Sequence, residues 1–173
     1  MTRLLSFHLY CSRSRGLSAV IYGAVLASVS VPLSFVVGSA LEAIIPKHLW
    51  GASSANDLVA MPLGQALALG AVLGPAVETV LAQSLPLEAT RAIGMSIAIR
   101  VITATVVWAL FHFAAGGLMQ CASTLLLGSI LAIGYVSARP HGLLPPFLAA
   151  TTAHGLHNAA MLIGTVLFPS LAQ

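Results

Sequence analysis

The sequence predicts an all-α fold: a polytopic transmembrane helix bundle of about five spans. Three observations predict it. Of the 173 residues, 58% are hydrophobic. Only 6% are charged, where a soluble domain carries about a quarter, so water could not solvate the surface of a compact fold this size. Five long apolar runs also follow one another through short polar connections, which makes one domain the expectation. Residues 1–57 hold an N-terminal segment, a first helix and an outer loop. Residues 58–168 hold a transmembrane core, and residues 169–173 a short tail.

Each element has its own warrant. Arg3, Arg13 and Arg15 precede an uncharged run over residues 16–41. That run is too long for the apolar part of a signal peptide, and further spans follow it. It is therefore predicted as an uncleaved first helix, with a kink at Pro32. Glu42, Lys47 and His48 mark its far end, and residues 51–57 form a polar loop. The second span covers residues 58–85, bent at Pro62 and at Gly74-Pro75. Pro86, Glu88 and Arg91 are predicted as an interfacial connection. The third span covers residues 92–115, Gly116-Gly117 turn the chain, and the fourth covers 118–136. After a loop at residues 138–142 the fifth runs over 143–167.

Charge placement gives the orientation. With the N-terminus inside, five spans put Arg3, Arg13, Arg15, Arg91 and Arg139 on the cytoplasmic side and leave Lys47 outside. The expected location is a cell membrane, a bacterial plasma membrane, with the lipid bilayer as the first partner. The formal charge of +3 is scattered over segment ends, so no nucleic-acid surface is predicted. Cys11 and Cys121 make neither a metal set nor a disulfide framework.

The chemistry-bearing residues lie inside the apolar runs. Glu78 follows twenty residues, 58–77, without a charge. Ionisable groups at such depth are costly and mark function by default. Trp108 lies four before His112, and His154 four before Asn158, so each pair shares a helix face. A carboxylate, two imidazoles and an amide on three helices suit one polar pocket. His157 reads as structural or accessory. Depth counting favours Arg100 over His112 as the partner of Glu78. A turn within residues 86–91 sets Glu78 level with Arg100, as a structural ion pair. A helix running past Pro86 and turning near Gly94 sets it level with His112.

These residues resemble the CPBP or Abi family of intramembrane endopeptidases, which includes the type II CAAX prenyl endopeptidases. The family carries Glu-Glu-x-x-x-Arg, then Phe-x-x-x-His, then His-x-x-x-Asn on successive transmembrane helices. Here the first motif reads Glu78-Thr79-Val80-Leu81-Ala82-Gln83, the second runs from Trp108 to His112, and the third from His154 to Asn158. The likeness covers about residues 58–165. Thr79 and Gln83 stand where the family has its second Glu and its Arg. Their joint loss leaves the local charge unchanged and permits a neutral Thr–Gln hydrogen bond.

The resemblance implies hydrolysis of peptide bonds by Glu-activated water, of the CAAX-protease or bacteriocin-processing type. Glu78, His112, His154 and Asn158 would be catalytic, with Thr79, Gln83, Trp108 and Arg100 in support. Glu78 with His112 would activate the water as general base, while His154 and Asn158 would donate to the developing oxyanion. The substrate would be a peptide or membrane protein offering extended backbone, because a helix hides its carbonyls. No cofactor is expected. The rival is a zinc site held by Glu78, His112 and His154. Other readings are a non-catalytic scaffold, a small proton-coupled transporter, and an inactive family member that binds substrates without cutting them.

Overall fold

The computed structural model describes residues 15–51 and 55–168. Arg3, Arg13, Cys11 and the tail at 169–173 lie outside the described residues. Within them the chain forms six helices and no strand: α1 (Arg15–Ile44), the short α2 (Ala55–Val59), α3 (Leu63–Ala92), α4 (Ile97–Ala114), α5 (Gly116–His141) and α6 (Leu144–Leu167). The all-α helical bundle expected from composition is the observed architecture.

Four helices, α1, α3, α4 and α5, are long and apolar enough to cross a membrane. The sequence predicts five spans, and the difference is α6. With 24 residues it is long enough, but His154, His157 and Asn158 dilute its apolar character. It also has the least need of an apolar surface, because it is the inner helix, packing on α1, α3 and the α4–α5 pair. Its Ala149, Ala150 and Ala153 each enter a different core cluster, beside Tyr22, Tyr135 and Trp108 respectively. Small side chains let helix backbones close on one another where lipid offers no hydrophobic drive. Gly23 on α1 meets the α6 backbone at Ala149 and Ala153, and Gly155 on α6 meets the Ala71 carbonyl of α3.

The boundaries of α3 differ most from expectation. Pro62 caps the helix rather than bending it, so the rod starts at Leu63, and residues 55–59 form the separate α2. At its other end α3 runs through Pro86 to Ala92, and the chain turns at Gly94, whose φ is +75°. The connection predicted over residues 86–91 is therefore helix. Two π-helical turns explain this: Ala68–Leu73 before Pro75, and Thr79–Ser84 before Pro86. A proline has no N–H to give, and its ring collides with the carbonyl four residues back. A wider i→i+5 turn moves that carbonyl aside. Pro32 likewise sits inside α1 without ending it. Gly117, with φ +75°, makes the predicted break between α4 and α5.

Two polar joints hold the bundle away from Glu78. Glu88 binds Arg139 at 2.5 and 3.1 Å and Arg91 at 2.7 Å, and receives the Tyr135 hydroxyl at 3.3 Å. This ties the end of α3 to the end of α5 and sets Arg91 and Arg139 on one side of the molecule. His157 faces α1, with Nδ1 2.9 Å from Ser30 Oγ, which fits its reading as structural. Ser30→Ala should cost about 1 kcal/mol of stability in a detergent unfolding titration, and it should leave any catalytic rate of the folded protein unchanged.

Candidate active site

Glu78 projects from the short α-helical stretch Gly74–Glu78, between the two π turns of α3. Because α3 runs on to Ala92, the chain reverses near residue 95, and residues 78 and 112 lie equally far from that turn. Glu78 thereby comes level with His112. Its Oε2 lies 3.7 Å from Nε2 of His112 and 3.7 Å from Nε2 of His154. Asn158 Nδ2 is 3.1 Å from the same His154 nitrogen. Glu78, His112, His154 and Asn158 thus come together from α3, α4 and α6. The two histidine side chains are 12% and 2% exposed and the carboxylate 28%, so the cluster opens only on the Glu78 side.

Trp108 organises the histidines. It is fully buried, and its ring centroid stands 4.8 Å from each of the His112 and His154 rings. Its carbonyl accepts a 2.9 Å hydrogen bond from His112 Nδ1. A carbonyl only accepts, so the neutral ring carries its proton on Nδ1 and turns a lone pair on Nε2 towards Glu78. The same logic fixes His154. The Asn158 amide nitrogen only donates, so Nε2 of His154 accepts and its proton sits on Nδ1.

Asn158 is itself placed by the first π turn. There Gly74 N–H bonds to the Leu69 carbonyl, five residues back. The Gly70 carbonyl loses its α-helical donor, and the next N–H position is Pro75, which has none. Asn158 Nδ2 takes that carbonyl at 2.8 Å. Asn158→Leu removes the donor while keeping the volume. It should destabilise the protein by about 1–3 kcal/mol, the cost of an unsatisfied buried carbonyl. The readouts are a midpoint shift on unfolding in detergent and a loss of any catalytic rate.

Three expectations need correction. Among the described residues Arg100 pairs with no acid, and it does not join the site. It is buried on α4, twelve residues from His112, about 18 Å along the axis, and its Nε and Nη2 have no hydrogen-bond partner among the described residues. Thr79 and Gln83 are fully buried but do not bond to each other: the Gln83 amide donates to the Gly128 carbonyl at 3.2 Å, and Thr79 Oγ1 and Gln83 Oε1 find no partner among the described residues. The glutamine is drawn across to α5 because a backbone carbonyl there lies within its reach. Finally, His154 does not present a donor to an oxyanion, since its Nε2 accepts from Asn158. The zinc set fits poorly for the same reason, because that lone pair is already engaged. Among the described residues no three metal-ligating side chains are grouped to hold an ion.

Sequence reasoning missed Gly155, Gly23 and the Glu88 joint. The prolines were the available signal for the two π turns. The comparisons with known proteins add no relative: no family model, no curated protein and no solved structure matches this chain.

Proposed function

We propose that this chain is an intramembrane endopeptidase of the CPBP or Abi type, using Glu78 as general base. One observation carries the reading. A carboxylate oxygen lies 3.7 Å from the Nε2 atom of each of two imidazoles inside a bundle of membrane-length helices. Glu78 Oε2 and His112 Nε2 are two acceptors that need hydrogens between them, and a water molecule brings two. Such a water gives one hydrogen to Glu78 Oε2 and the other to His112 Nε2, leaving its own lone pair for attack.

The water oxygen attacks the peptide carbonyl as Glu78 takes its proton. Asn158 keeps one amide hydrogen on Gly70 and can transfer the other from His154 to the substrate's oxyanion. His154, released from Asn158, holds a lone pair beside the reacting centre. Glu78 then returns the proton to the leaving amine, completing hydrolysis. The location that goes with this reading is a bacterial plasma membrane, with the Arg91 and Arg139 end cytoplasmic by the positive-inside rule.

The test uses purified protein in lipid nanodiscs with a pool of internally quenched decapeptides. The expected result is cleavage that survives a strong chelator and disappears in Glu78→Gln. Cleavage stopped by the chelator and restored by zinc would support the metal reading instead. Proton flux without cleavage in reconstituted vesicles would make the chain a transporter.

A further inference from the structure

The two π turns of α3 are equivalent, but among the described residues a side chain takes the Gly70 carbonyl freed by the first and none takes the corresponding carbonyl of the second. In the first, Gly74 N–H goes to Leu69 and Pro75 offers no N–H, so the Gly70 carbonyl is free for Asn158. In the second, Leu85 N–H goes to the Val80 carbonyl, and the next residue is Pro86. The α-helical donor for Leu81 is thus diverted, and its π-helical donor does not exist. The helix leaves the Leu81 carbonyl without an N–H, in the same way as Gly70.

Position gives this carbonyl its meaning. Leu81 follows Glu78 by three residues, so its carbonyl lies only a few ångströms further along the helix from the carboxylate, about 1.5 Å per residue. Leu81 is on the outward side of the helix with Val77, the two residues being 47% and 57% exposed. In hydrocarbon no water satisfies such a group, and leaving it unpaired is costly. A bare acceptor of this kind suits an extended peptide, whose backbone N–H groups have no internal partners.

We propose that the Leu81 carbonyl is a substrate-docking acceptor, binding a backbone N–H one or two residues from the scissile bond. The inference rests on the endopeptidase reading and adds a specificity to it. An extended strand advances about 3.3 Å per residue, which sets the one-to-two-residue distance. At that substrate position the enzyme excludes proline and any N-alkylated residue, whatever the side chain. Leu81 is a positioning residue here, acting through its main chain, so no side-chain substitution at 81 removes the contact. Pro86→Ala does, because residue 86 then supplies the missing N–H to α3 itself.

The experiment takes one decapeptide that the nanodisc-embedded protein cleaves and Glu78→Gln does not. Each of its amides is N-methylated in turn, and kcat/KM is measured for each peptide. The expected result is one position, within two residues of the scissile bond, where methylation lowers kcat/KM on the order of tenfold, the value of one lost hydrogen bond. Pro86→Ala should remain folded, cleave the parent peptide about tenfold more slowly, and no longer discriminate against that methyl group. A protein that cleaves but tolerates methylation throughout overturns this inference and leaves the endopeptidase reading intact. So does discrimination that persists unchanged in Pro86→Ala. A protein that cleaves no decapeptide overturns both.

Discussion

Glu78→Gln should lower peptide cleavage by at least 10³-fold while the protein stays folded. The substitution keeps the volume and planarity of the side chain, so packing against Gly74 and the two histidines is undisturbed. What changes is proton affinity. A carboxylate accepts a proton from water as the new bond forms, whereas a carboxamide does not, and general-base catalysis is typically worth 10²–10⁴-fold. Here the loss should sit at the upper end. The glutamine Nε2–H₂ also donates to the lone pair of His112, whose Nε2 lies 3.7 Å from the carboxylate position, and so occupies the place of the attacking water. The unfolding midpoint in detergent should match the parent or exceed it, because a donor would then stand opposite the His112 lone pair in place of an acceptor. Full cleavage by Glu78→Gln would refute the general-base role outright. A loss of cleavage accompanied by unfolding would assign Glu78 to structure instead.

His112 offers a graded comparison. Its Nδ1 bond to the Trp108 carbonyl holds the ring with Nε2 towards Glu78. His112→Gln can still donate to that carbonyl or accept from water, but it cannot do both with the ring's geometry. Cleavage should fall by about 10²-fold, less than for Glu78, because the carboxylate remains to take the proton. A larger loss than in Glu78→Gln would make the imidazole the principal base.

The residues of the candidate site were legible in the sequence, and their level in the bundle was not. Two i,i+4 pairs, Trp108 with His112 and His154 with Asn158, give helix faces directly, because 3.6 residues per turn stacks them. A single acid after a long uncharged run is equally plain. The partner of that acid depends on where α3 ends. Pro86 read as an interfacial connection sets the reversal near residue 89 and pairs Glu78 with Arg100. The structure carries α3 through Pro86 by way of a π turn, moves the reversal to Gly94, and pairs Glu78 with His112. A six-residue error in one boundary thus exchanges an ion pair for the candidate site's carboxylate–histidine cluster. The Thr79–Gln83 bond failed for another reason. Spacing shows that two side chains can meet, but not that the Gly128 carbonyl on a third helix competes for the same amide.

The hydrogen positions of the site follow from the same boundary. Without the π turn before Pro75, Gly74 N–H would satisfy Gly70 and leave Asn158 without its anchor. Asn158 would then be free to turn its carbonyl oxygen towards His154, placing the imidazole proton on Nε2 and opposite Glu78. Pro75 on α3 therefore governs which atoms of α6 are donors. This dependence runs from backbone register to site chemistry, and no count of polar residues along the chain contains it.

Gly155→Ala should be the most damaging change of a residue with no polar side chain. A Cβ at 155 would run into the Ala71 carbonyl oxygen of α3. That atom belongs to a helix backbone and cannot swing aside as a side chain would. The carbonyl is exposed to this contact because residue 75 is proline, with no N–H to return to it. Relief requires α6 to move away from α3. Strained packing of this kind costs about 1–3 kcal/mol. The functional loss should exceed what that destabilisation implies, because His154 and Asn158 flank position 155 and move with it. An increase of a few tenths of an ångström in the 2.8 Å bond from Asn158 to Gly70 weakens the contact that fixes the His154 tautomer. Gly164→Ala on the same helix is the control. Nothing lies within 4 Å of a Cβ there, so it should gain up to about 1 kcal/mol from helix propensity alone. Paired unfolding titrations should move in opposite directions, with cleavage lost by at least about 10²-fold only at 155. Equal behaviour of the two variants would show that α6 is not held against α3 at this point, and that the site does not depend on their contact.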